Sequence, residues 1–402
     1  MRYSGSRADV FPAALAAALI LSIAIAFSPR YWPVAAALGA ICLLGIAWAI
    51  TTRSFHAAPR ALPALISMAL LSLWAPLQLL THHTAAPWLT GRASLNWLGF
   101  ALAFLLASQI LASERARHLF LYTLLWAVTL FALLAILQLY RGAPGDPPRV
   151  YGIFPTGTQT IGTFLYKNQF AAMLELAAPI ALWRALRGHE NPAIGALFFA
   201  VLFAAAVASA SRAGVILMGT EFVCALAIAV HQRRISVGNA AALAAALLVL
   251  LAAASVIAGP EKILAHFQEK NPYSTRRQLL DSTLRMVREH PWTGSGLGTW
   301  RTLYPRFATF DNALVANEAH NDWAQWAAEG GIPFACLMLV LVLSVAPAAF
   351  STIWGLGVLT VMLHSLIDYP TREPALGLLW FALAGALLSR ENFARKMPAR
   401  DH

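Results

Sequence analysis

The sequence predicts an all-α polytopic membrane protein with about 12 transmembrane helices, and three observations predict it. Of 402 residues, 59% are hydrophobic and only 12% are charged, about half the charged share of a soluble domain. Mean hydropathy is +0.63. The apolar residues gather in twelve runs, most of 16–23 residues, near the ~20 that cross a bilayer as a helix. This composition excludes a disordered chain and argues against a soluble globular one. Alternating ten-residue segments of an outer-membrane barrel are absent.

In order, the runs are 11–27, 34–50, 61–80, 93–111, 118–140, 161–183, 192–208, 213–230, 237–258, 332–350, 352–367 and 375–388. The first is followed at once by others, so it reads as a retained span rather than a cleaved signal peptide. Cys42, Cys224 and Cys336 lie inside runs, lack metal-ligand spacing, and read as small core residues.

The 29 Lys/Arg against 18 Asp/Glu leave a net charge of +11. In a soluble protein that would suggest nucleic acid. Here topology explains the charge better, and no nucleic-acid partner is expected. Alternate gaps hold Arg2 and Arg7, Arg53 and Arg60, Arg115 and Arg117, Arg184 and Arg187, Arg233 and Arg234, then Arg390, Arg395, Lys396 and Arg400. The other short gaps hold only Arg30, Arg92, Arg141, Arg149, Arg212 and Arg372. Short cytoplasmic loops are the Lys/Arg-rich ones, so both termini should be cytoplasmic.

The gap 259–331 is 73 residues long and carries eight Lys/Arg. Long loops escape the charge rule, and a loop of that length in a compact bundle is usually functional. The chain thus divides into spans one to nine over 1–258, an extracytoplasmic loop over 259–331 with amphipathic helices and the chemistry, and spans ten to twelve with a cytoplasmic tail over 332–402.

Within the loop, 274–289 reads as an amphipathic helix with Ser274 as N-cap. Arg277, Asp281, Arg285 and Arg288 form a polar stripe; Leu280, Thr283, Leu284 and Val287 form the other face. Arg276, four residues before Leu280, falls on the apolar face at the N-terminus, where free amides and the helix dipole favour anions. It is either a phosphate ligand or a snorkelling interfacial arginine. The stretch 290–298, with glycines at 294, 296 and 298, reads as a tight turn, because no strand precedes it to make a dinucleotide loop. Residues 318–331 read as a short helix stopped by Gly330 and Gly331 before span ten. Asn321, Gln325 and Glu329 align at helical spacing, with His320 one step round. A histidine on the outer face is either a structural residue or a general base near neutral pH; further ligands for a zinc site are not evident.

Ser211 and Arg212 separate runs seven and eight with almost no loop, so Arg212 sits at the bilayer edge. Charge at that depth is functional or paired. Run six holds Tyr166, Lys167, Asn168 and, deeper, Glu175. A Lys167–Glu175 pair across two helical turns is conceivable but not neighbouring, and a transporter would also use such groups.

Taken together these residues resemble the O-antigen ligase and O-antigen polymerase superfamily of bacterial envelope glycosyltransferases. The similarity runs from about Gly162 to Pro370. It comprises Gly162 to Asn168 opening a span, Ser211–Arg212 at the seven–eight turn, Arg276 fifteen residues before Pro291, the Gly-Ser-Gly turn after that proline, and His320–Asn321 followed by Glu329 and Gly330. Leu280 stands where the family often has tryptophan. The resemblance implies a metal-independent, inverting C-type glycosyltransferase of the bacterial inner membrane that needs no cofactor. Its donor would be a glycan on undecaprenyl pyrophosphate, and its acceptor lipid A–core or another glycan. By the same resemblance His320 would deprotonate the acceptor on the periplasmic side, and Arg212 and Arg276 would bind the pyrophosphate. Lys167, Asn168, Asn321 and Glu329 would support them. A polymerase extending the lipid-linked glycan uses the same chemistry, and transfer to protein is a third variant. A transporter is the rival of another class; it should show internal symmetry between halves, and none is visible.

Overall fold

The computed structural model of the chain describes residues 9–52, 55, 59–141, 148–157, 159–187, 191–258, 274–309 and 315–389. Arg2, Arg7, Arg53, Arg390, Arg395, Lys396 and Arg400, on which the expected orientation partly rests, lie outside these, as do 259–273 of the long loop.

The helices follow the apolar runs. They are α1 (Val10–Ile25), α2 (Trp32–Thr51), α3 (Leu62–Leu80), α4 (Pro87–Ile110), α5 (Glu114–Arg141), α6 (Lys167–Ala185), α7 (Pro192–Ala208), α8 (Arg212–His231), α9 (Val237–Ala258), α10 (Ser274–Glu289), α11 (Trp300–Phe307), α12 (Asp322–Ser351), α13 (Leu356–His364) and α14 (Pro374–Leu387). The antiparallel pair β1 (Arg149–Val150) and β2 (Phe154–Pro155) lies between α5 and α6. Among the described residues six helices are long and apolar enough to cross a membrane, namely α2, α3, α4, α5, α8 and α12, and shorter apolar helices accompany them. Leu43 and Ile46 on α2, Leu73 and Leu77 on α3, and Ile216 and Val223 on α8 all face outward. Such an apolar exterior suits lipid and would be a liability in water. The molecule is an all-α polytopic membrane protein.

Helices α6 and α14 form the centre and are buried along almost their whole length. Helix α14 packs chiefly on α4, and α6 on α7 and α8. Their apolar surface joins an aromatic cluster in which Phe100 stacks on Phe381 and Trp97 meets Phe334 edge-on. Two cysteine expectations are corrected: Cys42 and Cys336 stand on the exposed outer surface, while Cys224 is half-buried, and all three are free. A thiol is apolar enough to be tolerated on a lipid-facing helix surface.

The amphipathic helix α10 spans the predicted residues, but its packed face is turned. Leu279, Ser282, Thr283 and Met286 are buried, whereas Leu284 is exposed. The buried Thr283 hydroxyl accepts from Trp300 Nε1 at 3.0 Å, which ties this face of the helix to α11. Leu279, Met286, Trp300, Tyr304, Ala319 and Ala328 make a second small core beside the bundle. Arg276 lies on the packed side, three residues before Leu279.

The predicted helix stop before span ten is a break within α12. Gly331 has φ 79°, ψ 169°, a conformation open only to glycine. A Cβ there would meet the Trp292 carbonyl at 2.4 Å, and one at Gly294 would meet the Glu329 carbonyl at 2.2 Å. The 290–298 turn therefore lies against the break, and it satisfies the backbone groups the break frees. Ile332 N donates to Pro291 O at 2.8 Å, Ser295 N to Ala328 O at 3.0 Å and Gly296 N to Glu329 O at 2.9 Å. Gln78 of α3 clamps the same turn, donating to Thr293 O and Glu329 O and accepting from Leu297 N. The start of α12 is thereby anchored to the membrane bundle.

Candidate active site

The short connection between α13 and α14 carries Asp368, which is buried. Four groups from four parts of the chain converge on its carboxylate. Arg276 of α10 donates from Nη2 to Oδ2 at 3.0 Å, and Asn168 of α6 donates from Nδ2 to the same oxygen. Tyr369 N donates to Oδ1 at 2.9 Å. His320 brings Nδ1 to 3.4 Å from Oδ1, an ion-pair distance slightly longer than a formed hydrogen bond; such contacts are often loose before substrate binds. Burial alone would raise the Asp368 carboxyl, but His320 and Arg276 beside it outweigh burial and hold it below the usual carboxylate range. Asp368 is thus an anion that orients an imidazole and a guanidinium together.

His320 has φ 52°, a left-handed backbone that costs a non-glycine residue free energy and clusters at functional sites. Its neighbours hold it there. Ala319 N donates to Gln325 Oε1 at 2.8 Å. Asn321 caps α12 by accepting from Ala324 N and donates to Leu366 O at 2.7 Å. The imidazole meets Tyr369 edge-on with centroids 4.8 Å apart and Tyr166 at 5.9 Å, while the two tyrosine rings stack on each other. Tyr166 Oη accepts from Asn168 Nδ2 at 3.0 Å and from Arg276 Nη2 at 3.4 Å.

Asn168 also joins the start of α8. Its Oδ1 accepts from Ser211 Oγ at 2.8 Å, and Ser211 is the N-cap of α8, accepting from Gly214 N. This sets Arg212 one residue from Ser211, whose hydroxyl bonds the same Asn168 amide that donates to Asp368. Lys167 Nζ donates to Ala210 O at 3.2 Å on the same turn. His320, Arg276, Asn168, Lys167 and the Arg212 backbone are therefore brought to one place. The Lys167–Glu175 pairing weighed from sequence is replaced: Glu175 bonds His364 at 2.8 Å.

Glu329 is directed elsewhere. Its carboxylate accepts from Trp300 N at 3.0 Å and Gln325 Nε2 at 3.2 Å, and pairs with Arg372 Nη1 at 2.6 Å. Arg372 also contacts Asp322 Oδ1 at 3.3 Å. Glu329 and Asn321 both hold α12 in place. Burial pushes the Glu318 carboxyl up to about 7, although Arg372 pulls the other way.

Sequence reasoning missed Asp368 and Tyr369, and it counted Arg372 only as loop charge. The available signal was an acid followed by Tyr-Pro directly after an apolar run; its three side-chain partners, Asn168, Arg276 and His320, are distant in sequence.

The model of the O-antigen ligase family matches residues 197–339. The matched stretch covers Ser211–Arg212, Arg276, the 290–298 turn, His320, Asn321 and Glu329, and it ends before Asp368. A comparison with curated proteins gives no match. Residues 197–339 are thus similar to the O-antigen ligase family, which supports the resemblance to the ligase and polymerase superfamily.

Proposed function

We propose that this protein moves a glycan from undecaprenyl pyrophosphate to an acceptor hydroxyl, lipid A–core or a similar terminal sugar, on the extracytoplasmic side of the bacterial inner membrane. All twelve apolar runs would cross the bilayer, with both termini cytoplasmic and the 259–331 loop forming the outer cap. The observation that carries the reading is the sharing of one buried carboxylate by His320, Arg276 and Asn168.

Asp368 fixes the imidazole with Nδ1 inward, which leaves Nε2 to face an acceptor. His320 takes the hydroxyl proton as the acceptor oxygen attacks the anomeric carbon. The bond from that carbon to the pyrophosphate breaks, its electron pair leaves with the phosphate, and in-line attack inverts the centre. Charge builds on the departing pyrophosphate, and preorganised guanidiniums stabilise it most in a water-poor site. Arg276 is held in plane by Asp368 and Tyr166, and Arg212 opens α8 beside it. Chemical activation comes with the donor, so the reaction needs no cofactor or metal.

The test is transfer by purified protein in lipid, supplied with undecaprenyl-pyrophosphate glycan with and without lipid A–core, with His320→Ala as control. Glycan on lipid A–core establishes the ligase. Longer lipid-linked glycan without that acceptor means a polymerase. Absence of both products, with glycan crossing the membrane instead, means a transporter.

A further inference from the structure

Beneath the Asp368 cluster lies a second polar layer, on the same three helical segments. Asn168 on α6 is followed seven residues later by Glu175, and Arg212 on α8 nine residues later by Glu221. Helix α13 ends in His364, four residues before Asp368. At 1.5 Å per residue these groups sit roughly 6–14 Å below their outer counterparts. Glu175 and His364 have no exposed surface, and His364 Nδ1 lies 2.8 Å from Glu175 Oε1. The two ends of the turn are joined as well: Asp368 N donates to His364 O at 3.0 Å. Glu221 is equally buried. Among the described residues neither of its oxygens has a hydrogen-bond partner; the Thr360 hydroxyl beside it donates to Leu356 O at 3.1 Å.

We propose that Glu175 and His364 form a buried ion pair that positions and tunes Asp368 from below, with Glu221 held neutral beside it. A buried carboxylate without partners is disfavoured as an ion, and two neighbouring carboxylates in such surroundings do not both ionise. Glu175 has the imidazole, so Glu221 keeps the proton. The charged groups acting on His364 are Glu175 on α6, Asp368 on its own turn and Arg276 on α10; Glu221 on α8 lies beside Thr360, one turn earlier on α13, and Asp322 N at the start of α12 donates to Ser365 O at 2.9 Å. The imidazolium is the end of the pair nearer Asp368, where it offsets part of the negative field acting on His320. Glu175 and His364 are therefore positioning residues.

This inference rests on the proposed role of His320, and the experiment separates the two. The pH profile of kcat/KM is measured for wild type, Glu175→Gln, His364→Asn and Glu221→Gln, with infrared spectra of the same proteins. In Glu175→Gln the imidazole loses its anion and its proton. In His364→Asn the stranded Glu175 takes one up. Both lose the cation near Asp368, so both acid limbs should move to higher pH by roughly 0.3–1 unit. Glu221→Gln should keep the wild-type limb and rate. The infrared carboxylic-acid band of Glu221 should be present in wild type, vanish in Glu221→Gln, and gain a companion in His364→Asn. Should a single variant fail to fold, Glu175→Gln/His364→Gln removes both charges and should show the same shifted limb. Lower rates with an unmoved limb would reduce the pair to packing, and absence of the wild-type acid band would overturn the neutral Glu221. If wild type transfers nothing, the His320 reading falls while the infrared bands still decide the layer.

Discussion

Two acid–base clusters flank the start of α12, and they are built from the same kinds of residue to opposite ends. Around Arg372, Asp322 and Glu329 surround the guanidinium, and both carboxylates are fully buried. Around Asp368 the carboxylate is buried, but His320 and Arg276 each keep a quarter of their side-chain surface open. In the first cluster the charges are consumed by each other and by Thr371, which donates to Asp322. In the second they are oriented and still reach solvent. Ion pairs closed to solvent hold helices in place, whereas a pair open on one side can also meet a substrate.

The comparison breaks most decisively at His320. His320→Ala should abolish transfer, with expression and thermal unfolding unchanged because the side chain is not part of a closed core; retained activity would remove it as the base. Asp368→Asn should cost roughly 10²–10⁴-fold in kcat, since the amide orients the imidazole poorly and no longer pairs with Arg276. Steady-state rates in lipid measure this, and a near-wild-type rate would refute the shared-carboxylate site.

On the other side, Arg372→Leu should lower folding stability by about 3–5 kcal/mol, because two buried carboxylates lose their cation. Chemical denaturation in detergent measures this, and activity per folded molecule should change far less. Arg276→Lys should reduce kcat/KM roughly 10–100-fold, as an ammonium cannot reproduce the planar fork; wild-type behaviour would exclude bidentate pyrophosphate binding.

The smallest effect is expected at Glu318, at the edge of the Arg372 cluster. Its folded carboxyl titrates at about 7 against an ordinary 4.5. Between those values the folded state holds a proton that the unfolded state has lost, so stability falls as pH rises from 4.5 to 7. Glu318→Gln should flatten that part of the stability curve; an unchanged slope would place the titration elsewhere.

Legibility differed between the two clusters. The regular spacing of Gln325 and Glu329 along α12 is local, and the structure shows the hydrogen bond that this spacing suggests. Arg276 on the packed side of α10 was readable from its offset along one helix. Asp368 was not readable, because Asn168 and Arg276 lie 200 and 92 residues away and single-helix periodicity says nothing about such partners. The packed face of α10 was misjudged for the same reason: the residues it packs on, Trp300 among them, lie outside the helix.

By itself the sequence determined the class of molecule, the positions of its apolar helices, the extent of α10 and the glycine break in α12. These follow from hydropathy, helical period and the backbone freedom of glycine, all set within a few turns of chain. Tertiary structure alone decided which charges close on one another and which meet around a site. That choice depends on the relative rotation and depth of α6, α8, α10, α12 and α13, and a shift of one residue in any of them would send the same side chains to different partners.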